Sequence, residues 1–360
     1  MIVTTREESG NALHLKGRFL PDGEERQVWI LDGKISWTPV AGARTIASGG
    51  WILPALVDAH LHLGIAEIGG PLDTDTLEAD LRELARTGIS AVRVLGSPQP
   101  LPTEVLARAG GPIVQTAGVP VAAHNRFIPG WGRLTPGSEL GRTCVEEARF
   151  GWSKIIADWF DETGGYGPSF TREEITAAVA AVHEAGARVA VHTQSAEGGR
   201  FAVEAGADSI EHGMHLPPAV LPEFAARGGI LVPTGAVFLQ QAPMMADPGV
   251  PAQIRQWYAA GVEAHPNLVR SAMDHGITVL AGTDQPVGAL VDEILFLHHA
   301  GMSSHDAIGA ASWTAREALG FPCLADGDRA DLICFDHDPR QDLESLRAPG
   351  LVVIDGRMVV

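Results

Sequence analysis

From Trp51 onward, short apolar runs alternate with stretches of helical period, the signature of repeated βα units around a parallel sheet. The runs that read as strands are 52–57, 91–95, 113–116, 154–157, 188–191, 209–211, 230–233 and 278–281. Between them lie helix candidates at 77–86, 172–184, 200–205 and 267–274, each closed by a nearby glycine: Gly88, Gly186, Gly206 and Gly276. Eight strands with intervening helices predict an α/β fold built on a closed (β/α)8 barrel. An open doubly wound sheet is the rival, but the first strand is followed by no glycine-rich phosphate-binding turn.

A barrel of this kind takes about 250 residues, so a chain of 360 leaves room for a small second unit. Before Trp51 the sequence changes character. Val28–Leu31, the turn pair Asp32-Gly33 and Lys34–Trp37 read as a hairpin. Beyond Phe321, the runs 330–335 and 351–360 return to strand character, and we expect them to pair with the N-terminal strands. The expected division is a discontinuous accessory domain, 1–50 with 324–360, around a barrel at 51–323. The long insertion at 237–266, after the seventh strand, reads either as a lid or as a helix packed on the surface.

The formal net charge of −18 argues against nucleic acid or an anionic membrane as partner, leaving a small-molecule substrate and an open question of homo-oligomers. Cys144, Cys323 and Cys334 are odd in number and far apart, which is no disulfide framework and fits a reducing compartment. Residues 1–10 hold no apolar core of signal-peptide length, and no later run is long enough to span a bilayer, so the expected location is cytoplasmic.

Polar residues at the strand ends carry the chemistry. In Asp58-Ala-His60-Leu-His62, residues two apart in an extended backbone project to one side, so both imidazoles face the barrel mouth. His192 closes the run Arg188–His192 and His212 closes Ser209–His212. A lone histidine in such a place is often a satisfied core residue. Four at the ends of three strands, on the face where this fold holds its active sites, point to a metal.

The chain has only three lysines, Lys16, Lys34 and Lys154, and the barrel keeps Lys154 alone. A lysine opening a buried strand is either snorkelling at the edge or has lost its proton. A neutral amine can add carbon dioxide, giving a carbamate able to bridge two metals. Asp284, in Ala281-Gly-Thr-Asp284, supplies a carboxylate that can ligate a metal and accept a proton from water. The loop 124–133 offers His124 and Arg126, of which Arg126 either grips a substrate carboxylate or braces the loop. Tyr166, Gln194 and Gln285 lie close enough to these residues in sequence to line a pocket.

Taken together, the stretches Ile52–His62, Ala205–Gly213, Ala281–Asp284 and Gly327–Asp336 resemble the amidohydrolase superfamily, in its imidazolonepropionase-like and prolidase-like branch. The resemblance implies a barrel flanked by a small β-sandwich from both termini. It further implies a divalent metal pair, usually zinc, with the lysine carbamylated. By position, His60, His62 and Asp284 resemble ligands of the first ion, His192 and His212 those of the second, and Lys154 the bridge. The implied reaction is hydrolysis of a C–N bond, in an amide, cyclic amide or dipeptide-like substrate, by a hydroxide shared between the ions with Asp284 as general base and acid. The same centre would also suit a lactone or phosphoester; a barrel kept only as an inactive scaffold would have lost ligands. Thr-Gln after His192 and Gln-Pro after Asp284 depart from the family pattern, at positions that bear on substrate.

Overall fold

The computed structural model describes residues 12–67, 69–108, 110–161, 164–285 and 287–359; residues 1–10, read above as lacking a signal peptide, lie outside them. Apart from the first half of 52–57, every run expected as a barrel strand holds a strand, and these strands lie in two parallel arcs. One arc orders Leu56–Leu61, Ile89–Val94 and Ile113–Thr116 side by side. The other runs from Thr278–Val279 through Ile230–Val232, Ser209–His212, Arg188–Thr193 and Trp152–Ile156 to Val121–Ala122 and Arg133–Leu134. The arcs meet where the Ala59 N–H donates to the Ala281 carbonyl at 2.9 Å and the Asp284 N–H to the His60 carbonyl at 2.7 Å. Gly282 makes that approach possible: a Cβ there would stand 2.4 Å from a Val232 methyl and 2.7 Å from the His60 Cβ.

Two boundaries differ from the sequence reading. The apolar run 52–57 is not one strand. Its first half ends the long strand Arg44–Pro54, which pairs with Leu13–Phe19 and Leu332–Phe335 in the accessory sheet, and the barrel strand begins at Leu56. Hydrophobic pattern alone cannot divide a run that is buried on both sides of Ala55. Strand Arg44–Pro54 therefore passes through the expected boundary at residue 50.

The accessory strands form a single seven-stranded sheet drawn from both ends of the chain, with its own apolar cluster of Leu15, Phe19, Val28, Ile30, Leu332 and Val353. The expected hairpin is present, with Asp32 and Gly33 both at positive φ as a two-residue turn requires. Of the expected helices, Arg172–Glu184 matches in full, started by a capping box between Thr171 and Glu174. The 200–205 and 267–274 segments are the ends of longer helices, Ala196–Ala205 and Ala252–Asp274. The insertion forms two helices, Gly235–Met245 and the first part of Ala252–Asp274, packed against each other through Val237, Phe238 and Tyr258. Among the described residues no helix is long and apolar enough to cross a membrane, and the three cysteines are free thiols.

Candidate metal centre

His60, His62, Lys154, His192, His212 and Asp284 all line one cavity of about 150 Å³. They come from five parallel strands or the turns just past them, because side chains that alternate along parallel strands in register reach the same mouth. His60 Nε2 lies 3.3 Å and His62 Nε2 3.0 Å from Asp284 Oδ1, and His212 Nδ1 lies 3.9 Å from Oδ2. Ligand atoms of His60, His212 and Asp284 all fall within 4.8 Å of one another. The His192 ring sits edge-on to His212, centroids 4.6 Å apart.

Hydrogen bonding fixes which nitrogens face the cavity. His62 Nδ1 is 2.8 Å from the Gly96 carbonyl, which only accepts, so Nδ1 carries a proton and Nε2 is the nitrogen turned to Asp284. His60 Nδ1 donates in the same way to Glu211 Oε2 at 2.8 Å. Burial, with the nearby Lys154 charge, pushes the His60 imidazolium down to about 4 and that of His192 to about 3; burial also holds His212 well below its usual value. Burial alone would raise the Asp284 carboxyl, but His60, His212 and His62 outweigh it and keep it ionised. The Nε2 atoms of His60 and His62 thus converge on one Asp284 carboxylate oxygen, a donor set of the kind that suits a divalent cation.

Lys154 poses the same question from the other side. It is 2% exposed and its Nζ has no hydrogen-bond partner. Burial brings its pKa down to about 8, against the pull of Glu211 and Asp284. A buried amine left unpartnered among imidazoles is costly unless something binds it.

The backbone is strained at the same place. His212, Thr234 and Asp284, at the ends of adjacent strands, all adopt left-handed conformations, φ 68°, 51° and 51°. Each costs ~1–3 kcal/mol, a cost that persists where function requires the geometry. Thr234 Oγ1 lies 2.8 Å from His212 Nδ1 and fixes that ring.

Several supporting residues went unnoticed in the sequence. Glu211, one residue before a ligand, bonds His60 and pairs with the buried Arg93 at 3.1 Å. Arg93 in turn lies over Trp152, 4.6 Å from the ring centroid. Asp58, two residues before His60, accepts from the His60 N–H and the Thr283 hydroxyl and ties the two strand ends together. Asp158 accepts from Thr193, Gln194 and Ser195 and fixes the chain just past His192. For Glu211 and Asp58 the available signal was an acidic residue within two positions of a histidine, but nothing in one sequence tells such a residue from a turn former.

The tentative substrate contacts divide. Gln194 lines the cavity. Tyr166 reaches the ligands, its hydroxyl 3.0 Å from His192 Nε2, and stacks on Trp257 from the insertion. The other three are not brought to the cavity. His124 is exposed. The Arg126 Nη2 donates to the carbonyls of Trp159, Gly167 and Pro168, so this side chain braces the Asp158–Phe160 and Tyr166–Pro168 hairpin. The Gln285 side chain donates to Gln240 at 2.6 Å, and only its backbone carbonyl meets His62.

Residues 51–359 match the amidohydrolase family. The chain belongs to that family. It is therefore an enzyme, a hydrolase acting on C–N bonds. It is 38% identical over 359 residues to an uncharacterized protein of Mycobacterium tuberculosis, covering 96% of this chain and 95% of that protein. Imidazolonepropionase from Salinispora arenicola is 27% identical over 369 residues, covering 88% of this chain and 87% of the enzyme. Among solved structures, a Xaa-Pro dipeptidase with methionine bound in its active site shares the fold, with TM-score 0.81, 20% identity, and coverage of 97% of this chain and 99% of that one.

Proposed function

We propose that the chain is a metal-dependent amidohydrolase that holds two divalent ions, zinc in the first instance, and cleaves the C–N bond of a small amide. The observation that carries this reading is the convergence of His60 and His62 Nε2 on Asp284 Oδ1, beside an unpartnered buried Lys154 amine. His60, His62 and Asp284 would hold one ion, His192 and His212 the other, and Lys154, as its carbamate, would join both. When bound, such a pair supplies Lewis acidity toward the scissile carbonyl and water made acidic enough to attack at neutral pH.

The chain's own groups account for the rest. Asp284 is ionised at rest and accepts the proton of the attacking water, then delivers it to the leaving nitrogen. Glu211 holds His60 in the tautomer that presents Nε2, and the Gly96 carbonyl does so for His62. Tyr166 stays a neutral phenol because burial raises its pKa well above the usual value, so it remains a hydrogen-bond donor beside His192. With His192 holding the second ion, the Tyr166 hydroxyl would be free to donate elsewhere in the cavity.

In this reading the two parallel arcs form one closed (β/α)8 barrel. The two chain ends form one discontinuous accessory domain, which on the N-terminal side runs on through strand Arg44–Pro54. Free buried thiols at Cys144 and Cys334 suit a reducing cytoplasm. The direct test is a panel of small anilides and cyclic amides, lactones and phosphoesters on metal-loaded protein. Turnover confined to the C–N compounds is the expected result; faster turnover of lactones or phosphoesters would overturn it.

A further inference from the structure

The walls around the six ligands are aromatic, and each of three rings lies directly against a ligand histidine. Trp131 is 5.1 Å from the His62 ring, Trp159 5.3 Å from His192, and Phe238 5.8 Å from His212. Phe127 lines the same cavity and meets Trp159 edge-on at 5.0 Å. The indole N–H of Trp131 is turned away, donating to the Gly70 carbonyl at 2.9 Å. The remaining polar lining, apart from the ligands, is the amides of Gln194 and Gln241.

What is missing is a cation. Among the described lining residues Lys154 is the one basic side chain besides the histidines, and it is committed to the ligand set. Arg126, the arginine closest in sequence to the aromatic wall, spends its Nη2 on backbone carbonyls. A substrate carboxylate beyond the scissile bond would therefore meet an aromatic wall with no cationic side chain outside the ligand set to pair with it, and unpaired buried ions are strongly disfavoured.

We propose that the substrate is an uncharged amide bearing one apolar ring or a group of similar size, and that amides with a free carboxylate beyond the scissile bond, dipeptides and N-acyl amino acids among them, are rejected. This rests on the amide-hydrolase reading above and narrows it. For a simple anilide, water adds across the C–N bond, the carbonyl carbon leaves as the carboxylic acid and the nitrogen as the arylamine.

The test compares acetanilide, 4-acetamidobenzamide and 4-acetamidobenzoate on the metal-loaded full chain, following arylamine release. The last two are nearly isosteric and differ by one charge. The neutral pair should exceed the benzoate in kcat/KM by at least ~100-fold. Equal or faster turnover of the benzoate overturns the proposal. Gln241→Arg, which places a cation on the lining, should narrow the gap about tenfold; an unchanged gap would mean charge at this wall does not set selectivity. If no anilide is cleaved, the hydrolase reading and this one separate by binding. Quenching of tryptophan fluorescence by acetanilide but not by 4-acetamidobenzoate still supports the neutral apolar site, and tighter binding of the benzoate rejects it.

Discussion

Replacing Lys154 with methionine should make the metal-free protein more stable while removing its activity. Methionine keeps the unbranched shape of the lysine stem and deletes the amine, which is buried and makes no hydrogen bond. The fall in the lysine pKa from 10.5 to about 8 corresponds to on the order of 3 kcal/mol against the charged form. At pH 7 the amine is still mostly protonated, so the parent carries that cost and Lys154→Met does not. The sign can be followed with pH. Between about pH 8 and 10.5 the unfolded chain binds a proton on this amine that the folded chain has released, so parent stability rises with pH across that window. The advantage of Lys154→Met should thus be full below pH 8 and fade by pH 10.5. Urea unfolding of both proteins, stripped of metal in carbon-dioxide-free buffer, measures it. A methionine variant no more stable than the parent at pH 7 would refute the reasoning, because the amine would then have a partner that offsets its burial.

Three further outcomes follow from the same geometry. Asp284→Asn keeps the shape but not the proton acceptor, and kcat should fall ~10²–10⁴-fold; a loss under about tenfold with both ions retained would assign the proton transfer elsewhere. Glu211→Gln breaks a fully buried pair with Arg93 and weakens the His60 tautomer. It should cost ~3–5 kcal/mol in urea unfolding and ~10–100-fold in zinc affinity by chelator competition. Metal-free parent should lose stability as pH falls from 7 to 5, because His60 and His192 refuse protons that the unfolded chain accepts near 6.5. The slope should approach ~1.4 kcal/mol per pH unit for each imidazole, and a flat stability curve over that range would contradict their burial as neutral rings.

The sequence made it legible that the four histidines and Asp284 share one cavity, because they lie at or just past the ends of short apolar runs, where strand period dictates direction, whereas Lys154 opens such a run. The capped helix Arg172–Glu184 and the Asp32-Gly33 hairpin were legible for a similar reason, being set by residues within a few positions of each other. What escaped was non-local. Arg93, Glu211 and His60 are joined across the barrel interior over 118 and 151 residues of chain, and no local pattern marks such a triplet. The aromatic wall is assembled from separate segments, with Trp131, Trp159 and Phe238 each unremarkable alone. Arg126 shows the opposite error, a cation well placed in sequence whose bonds are taken up by a hairpin that periodicity does not reveal. The split at Ala55 was hidden because burial on both sides leaves no change in hydrophobic pattern.

The central claim is that six side chains hold a working pair of ions, and metal content measured alongside activity tests it most directly. Protein stripped of metal, then titrated with zinc in bicarbonate buffer, should settle close to two ions per chain, with amide hydrolysis rising as the second ion binds. A chain that saturates at one ion with full activity, or that cleaves amides equally well with none, would contradict the account.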